Sequence, residues 1–381
     1  MTDRLSDWLF EKTLAFWVKR GVDRQGGGFH EGLDVHRAPV TAEGKRVMVQ
    51  ARQFYTFTQA DRLHRLPGAA DAAKAGLDFL IDHYRHPNGG WRFRVRRDGQ
   101  PLEDMRDLYA QAFVLFALAW HHRVDPSGPA AAEADSTMAF IDAEMSHPAG
   151  GYHESLAPDG FPSDGERRQN PHMHLFEACL AWIEAGGGDA WHGRAQRLVD
   201  LLENRFIVDG TLRERFTPDL DPAEGDAGRR VEPGHHFEWS WLLGRYSAVT
   251  GETRFADLAA ALYDFALEHG IVPDTGAVAD AVDCDGAVMD SGHRIWPQTE
   301  AIRAHSARLA ATGDPRHAEE RDRRIDALFT LHFDGAADGA WREHVESDGR
   351  IRVSALPAST LYHLTAAAAE LHEAAASDAA S

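Results

Sequence analysis

The chain has 381 residues, with 60 acidic against 40 basic side chains and a formal charge of −20. That balance repels phosphate backbones and anionic lipid, so neither nucleic acid nor a membrane surface is an expected partner. Two cysteines, Cys179 and Cys284, no apolar run of membrane-spanning length and no leader pattern at the start predict a reducing, cytoplasmic setting without a disulfide.

Read from the N-terminus, helical apolar periodicity covers residues 5–19, 46–63, 69–84, 104–122, 130–145 and 171–184, then 191–206, 234–249, 254–269, 295–311, 316–333 and 357–374. This makes about twelve helices in six pairs. Between them a Gly-led apolar residue recurs roughly every 60 residues, at Phe29, Trp91, Tyr152, Leu212, Val278 and Trp341, each inside a Gly/Asp-rich stretch that reads as a hairpin. Helix, hairpin, helix repeated six times predicts an all-α (α/α)6 barrel, a toroid with one helix of each pair inside and its partner outside. The repeat runs without a linker or composition break, so residues 1–381 are expected to form a single domain. A homo-oligomer is compatible with the sequence.

In such a ring every helix that follows a hairpin starts at the same end, and its first turns share one mouth. Arg52, Tyr109, Asn170, His174, His235, Glu238, Trp296, Gln298, Glu300 and His363 all fall there. Residues three or four apart share a helix face, which pairs Asn170 with His174 and His235 with Glu238. A carboxylate one turn from an imidazole orients the ring and supports its charged form, as general acid–base chemistry requires. Arg52 lies in an apolar stretch, so its guanidinium needs a carboxylate or a ligand. His172 and His236 point to other faces than their neighbours. Metal ligation is weighed on HMH and GHHFE, but an HxH on a helix splays its rings, and HExxH and CxxC are absent; a Gly-rich phosphate loop is missing too. No cofactor and no metal are expected.

At these motifs the chain resembles the N-acylglucosamine 2-epimerase superfamily, and within it most of all the D-mannose isomerases. The matching stretches are RVMVQAR around Arg52, DLYAQAFVLFALA around Tyr109, QNPHMHLFEA around His174, EPGHHFEW around His235, IWPQTEAIRA around Trp296 and LYHL around His363. The resemblance implies metal-independent proton transfer on an open-chain monosaccharide through a cis-enediol. His363 would take the proton from C2, and His235, held by Glu238, would deliver one to C1. His174 and Asn170 would hold hydroxyls, Arg52 and Tyr109 the carbonyl oxygen, and Trp296 and Gln298 the sugar's flank; Arg229 or Arg230 would cap the mouth. D-mannose to D-fructose isomerisation is the expected reaction, and a mannose/glucose 2-epimerase is the alternative. A glycoside hydrolase on the same fold would need opposed carboxylates, for which Glu238, Glu300 and Asp104 are the candidates. A sugar-binding toroid without catalysis is the remaining class.

Overall fold

The computed structural model of the protein describes residues 3–41, 43–353 and 355–380. It is mostly helical. In chain order the helices are α1 (Asp3–Asp7), α2 (Leu14–Arg20), α3 (Val47–Arg62), α4 (Ala69–Tyr84), α5 (Leu108–Val124), α6 (Ala130–Phe140), α7 (Gln169–Glu184), α8 (Asp189–Leu201), α9 (Gly225–Arg229), α10 (Pro233–Thr250), α11 (Ala256–His269), α12 (Ile295–Thr312), α13 (Pro315–Leu328) and α14 (Thr360–Ala380).

Two kinds of helix alternate, and burial separates them. In α3 every residue from Val47 to Ala60 is buried, and α7 is buried almost as continuously from Gln169 to Ile183. In α11 burial is confined to Ala259, Leu262, Tyr263 and Ala266, the single stripe of an amphipathic helix that faces water on its other side. The fully buried helices pack in a closed order: α3 on α5, α5 on α7, α7 on α10, α10 on α12, α12 on α14, and α14 back on α3. The half-buried helices α4, α6, α8, α11 and α13 each cover the buried helix before them in sequence, and α1 covers α14.

Short antiparallel strands repeat the same closure at one end. The strand leading into each inner helix pairs with the hairpin that follows it: Gly44–Arg46 with Arg94–Arg96, Arg106–Asp107 with Ser155–Leu156, Arg167–Arg168 with Arg215–Phe216, Arg230–Val231 with Ala281–Asp283, and His293–Arg294 with His344–Val345. The last, Leu356–Pro357, returns to the first hairpin, placing Pro357 opposite Gly32 and Leu356 opposite Leu33. Aromatic stacking seals this join: Trp17 lies on Trp341 with ring centroids 5.9 Å apart, and Trp8 on Phe333 at 3.7 Å.

The sequence predicts unbroken α-helix where the structure has π-helical turns: Trp8–Thr13 between α1 and α2, Ile141–Met145 after α6, Leu202–Phe206 after α8 and Phe329–Phe333 after α13. Apolar spacing does not report one extra residue in a turn. Among the described residues no helix is long and apolar enough to cross a membrane.

Candidate active site

Each of the first five hairpins is tied to the inner helix that follows it by one side chain at that helix's fourth residue. Gln50 Oε1 accepts the Phe29 N–H at 2.7 Å while its Nε2 donates to Phe29 O at 3.0 Å; Gln111 holds Trp91 at 2.9 and 2.8 Å, and Gln298 holds Val278 at 2.8 and 2.9 Å. In the third and fourth repeats histidines take the place of glutamine: the Tyr152 N–H donates to His172 Nε2 at 3.0 Å and the Leu212 N–H to His236 Nε2 at 3.3 Å. Burial pushes both rings down to a pKa of about 3, so each stays a neutral acceptor. At Phe29 the close approach requires the preceding glycine: at Gly28, φ 61°, a Cβ would sit 2.4 Å from Gln50 Oε1. The repeat signal in the sequence is therefore this clamp, and Gln298, expected beside the sugar, is fully buried and belongs to it.

Two residues further along the same helices the side chains turn into the mouth. This layer contains Arg52, Phe113, His174, Glu238 and Glu300, and its counterpart on α14 is His363. A cavity of about 200 Å³ opens there, and Arg52, Tyr109, Asn170, His174, His235, Glu238, Trp296 and His363 all line it. His235 and His363 both lie against the indole of Trp296, with ring centroids 4.7 and 6.0 Å from it.

Three imidazoles each meet a carboxylate through Nδ1, which leaves Nε2 available. His174 pairs with Glu177 at 2.9 Å, His235 with Glu214 at 2.9 Å, and His363 with Glu300 at 2.8 Å. The expected His235–Glu238 pair is not formed. Glu238 lies instead 4.0 Å from His174, and Glu214, from the hairpin before α10, takes its place.

A second repeated position explains why. The residue two after the apolar hairpin residue is acidic in five copies, and in three it grips an arginine that precedes the inner helix. Glu31 accepts from the Arg46 N–H and Nε, both at 2.7 Å; Glu154 from Arg168 at 2.6 and 2.9 Å; Asp280 from Arg294 at 3.2 and 2.9 Å. Before α10 that arginine is replaced by Glu232. Glu214, relieved of the cation, accepts the Glu232 N–H at 3.2 Å and gives its other oxygen to His235 and to Gln169 Nε2.

The electrostatics of the two histidines on Trp296 differ in sign. Burial disfavours charge on both. At His235 the Glu214 and Glu232 carboxylates overcome burial and raise the pKa above the usual histidine value; at His363 burial prevails over Glu300, and Arg52 and Arg303 add to it, so the pKa falls. His174 is pushed down to about 4, mainly by burial. Glu238 is held well above the carboxylate range by burial and by its neighbours Glu300 and Glu177, and its Oε1 is buried without a partner.

Arg52 donates to the Tyr109 hydroxyl, and its guanidinium carbon lies 4.1 Å from the ring centre of Phe113 and 5.0 Å from that of Tyr362. Among the described residues no carboxylate pairs with it within ion-pair distance, so its charge faces the cavity. Asn170 Oδ1 is likewise buried without a partner. Arg229 is held by Asp283 and Asp285 at 2.7 and 2.8 Å on the surface, whereas Arg230 reaches Glu232 at 3.3 Å beside the rim. For glycoside hydrolysis, Asp104 is bound by Arg92 at 2.5 Å and does not line the cavity, while Glu300 is engaged by His363 and by Arg303 at 2.7 Å. Two sets of groups converge enough to consider a cation, His174–Glu177–Glu238 and Glu238–Glu300–His363, with candidate donor atoms within 4.8 Å, and both depend on Glu238.

The family profile described as N-acylglucosamine 2-epimerase (GlcNAc 2-epimerase) matches residues 27–367. A protein named mannose-6-phosphate isomerase from Rhizobium meliloti is 36% identical over 381 residues, covering 97% of this chain and 96% of its own. The D-mannose isomerase of Thermobifida fusca is 28% identical over 332 residues, covering 82% and 80%. The solved cellobiose 2-epimerase of Bacillus thermoamylovorans superposes with a TM-score of 0.89 at 21% identity, covering 98% and 99%, which is a likeness of fold.

Proposed function

The chain belongs to the N-acylglucosamine 2-epimerase family, and from that premise we propose that it is a D-mannose isomerase working on a single (α/α)6 barrel. The closed order of helix and strand pairing supports the barrel reading. The observation that carries the reaction is the pair of cavity histidines packed against Trp296, one with its pKa raised and the other with its pKa lowered.

A neutral His363 and a charged His235 are the starting state that an aldose-to-ketose step needs. In this reading His363 Nε2 takes the proton from C2 of open-chain mannose, and the electron pair moves into a cis-enediol. His235 then delivers a proton to C1, while a second proton passes from the 2-hydroxyl to O1, so that D-fructose results with atoms balanced. Glu214 and Glu300 fix the two rings through Nδ1. The unpaired guanidinium of Arg52, with the Tyr109 hydroxyl, stabilises charge developing on the carbonyl oxygen, where a preset cation helps most. His174 and Asn170 hold hydroxyls and assist ring opening. Glu238, uncharged, offers the cavity a hydrogen-bond donor instead of the carboxylate first expected to steady His235.

Isomerase and 2-epimerase share the first proton abstraction and differ in where the proton returns. Relatives named N-acylglucosamine 2-epimerase and cellobiose 2-epimerase keep the mannose/glucose 2-epimerase as the alternative. Incubation with D-mannose followed by chromatographic identification of the product tests the reading. Fructose supports it, glucose selects the epimerase, and an unchanged sugar overturns both. The chemistry uses no metal, so activity is expected to persist in a chelator; its abolition would bring Glu238 and its neighbouring histidines into play as ligands.

A further inference from the structure

The acidic hairpin position that holds an arginine in the first, third and fifth repeats and serves His235 in the fourth has a last copy, Glu343, two residues after Trp341. The strand before α14, Leu356–Pro357, supplies no arginine to it. One carboxylate oxygen, Oε2, accepts from both the Trp341 Nε1–H at 2.9 Å and the Thr360 hydroxyl at 2.7 Å. Trp341 and Thr360 are themselves only 3% and 4% exposed, so the carboxyl is held in one orientation. Among the described residues nothing hydrogen-bonds the other oxygen, and Glu343 lines the cavity. Glu343 is thus anchored like a structural residue while presenting an unused acceptor to the ligand space.

Its surroundings indicate what that acceptor meets. Arg52 and Tyr109 come from α3 and α5, whereas Glu232, Arg294 and Trp296 come from the start of α10 and α12, across the ring. With C1 and C2 held between His235 and His363, a sugar would present its remaining hydroxyls to the rest of the cavity lining, which includes Glu343. Arg294 and Arg230 are the cations there, and both are already shared with carboxylates: Arg294 with Asp280 at 2.9 Å and Glu232 at 3.5 Å, and Arg230 with Glu232 at 3.3 Å. A phosphate in this place would meet Glu232 and Glu343 without an unengaged cation to offset them. Burial supports the same picture, pushing Glu343 up to a pKa of about 7 against the hydrogen bonds of Thr360 and Trp341, so that it either accepts from or donates to a hydroxyl.

We propose that Glu343 is a specificity-determining residue that binds a hydroxyl at the end of the substrate remote from the carbonyl and matches the site to an uncharged sugar instead of a sugar phosphate. The assignment rests on the isomerase reading above. It distinguishes this chain from what the name of its Rhizobium relative alone would suggest.

The test compares D-mannose with D-mannose 6-phosphate on the wild type and on Glu343→Gln, whose amide oxygen can still accept from Trp341 and Thr360. The wild type is expected to prefer mannose. In the variant KM for mannose rises by roughly tenfold or more with kcat within about threefold, and the preference for mannose over its phosphate narrows by about tenfold. Preference of the wild type for the phosphate, an unchanged KM in the variant, or a loss confined to kcat would each overturn the proposal. If the wild type converts neither sugar, the isomerase reading fails on its own, and calorimetric titration with mannose decides the role of Glu343: weaker binding by the variant supports it and equal binding overturns it. Should Glu343→Gln unfold, Thr360→Val, which removes one of the two bonds holding the carboxyl, is expected to show the same rise in KM, and its absence counts against the assignment.

Discussion

In the first and third repeats the hairpin glutamates, Glu31 and Glu154, stay bound to the arginines Arg46 and Arg168 and join hairpin to helix. In the fourth and sixth the arginine is gone, and the freed carboxyls of Glu214 and Glu343 reach a cavity histidine and the cavity itself. The fifth lies between, because Asp280 keeps Arg294 but the guanidinium also reaches Glu232 at the rim. The comparison teaches that one scaffold position joins hairpin to helix where its arginine is present and is freed toward the cavity where the arginine is absent.

The largest effect should come from the imidazoles at that cavity. His363→Ala and His235→Ala are each expected to lower kcat on mannose by about a thousandfold or more while sugar binding, measured by calorimetry, is retained. Loss of binding in step with turnover would make them pocket residues and nothing more.

Next come the paired glutamates, which set the comparison directly. Glu214→Gln removes the main carboxylate that offsets burial at His235, so the pKa of that ring falls, and kcat should fall by about tenfold to a hundredfold. Glu154→Gln, at the same position one repeat earlier, should leave the rate unchanged and cost about 1 kcal/mol or less, since Arg168 is 44% exposed and solvent screens the pair. Equal kinetic effects from the two variants would erase the distinction between the repeats.

The pH profile sharpens it further. The base must be neutral, so kcat/KM should rise as pH climbs through the lowered pKa of His363; the acid must be charged, so it should fall as pH passes the raised pKa of His235. The expected bell spans the ordinary histidine value of about 6.5, and in Glu214→Gln its alkaline limb moves to lower pH. An alkaline limb that stays in place would detach Glu214 from His235.

The smallest kinetic effect belongs to the clamp. Gln298→Ala leaves the Val278 N–H and C=O without their partners, and is expected to destabilise by about 1–3 kcal/mol, read as a fall in Tm, with KM for mannose changed less than about twofold. A large rise in KM would return Gln298 to the sugar-binding role first expected of it.

Periodicity located the twelve long helical stretches and the hairpins, because apolar faces and glycine-led turns are local properties, but not the short α9. Closure through Gly32 and Pro357 is a pairing between the chain's two ends, and no local pattern reports it. The cavity histidines and Arg52 were legible as polar residues at the start of buried helices. Their partners were less so. His235–Glu238 shares a helix face by spacing, yet the ring is turned by Glu214, 21 residues earlier, and His363 by Glu300, 63 residues earlier. Glu177, three residues after His174, carried the same local signal as Glu238 and is the one such pair that forms. Gln298 was misread because a polar residue in the first turn of an inner helix points either into the mouth or back at its hairpin. The recurrence of Gln50, Gln111 and Gln298 at one register, and the exchange of arginine for Glu232 before α10, were the sequence signals for the clamp and for Glu214.

Heavy-water labelling probes the two-histidine account most directly. With D-mannose in D₂O, magnetic resonance of the products should find deuterium at C1 of fructose, placed there by His235, and should lose that signal in His235→Ala. Deuterium at C2 of the aldose without labelled fructose, or no incorporation at all, would contradict proton removal at C2 by one imidazole and proton delivery to C1 by the other.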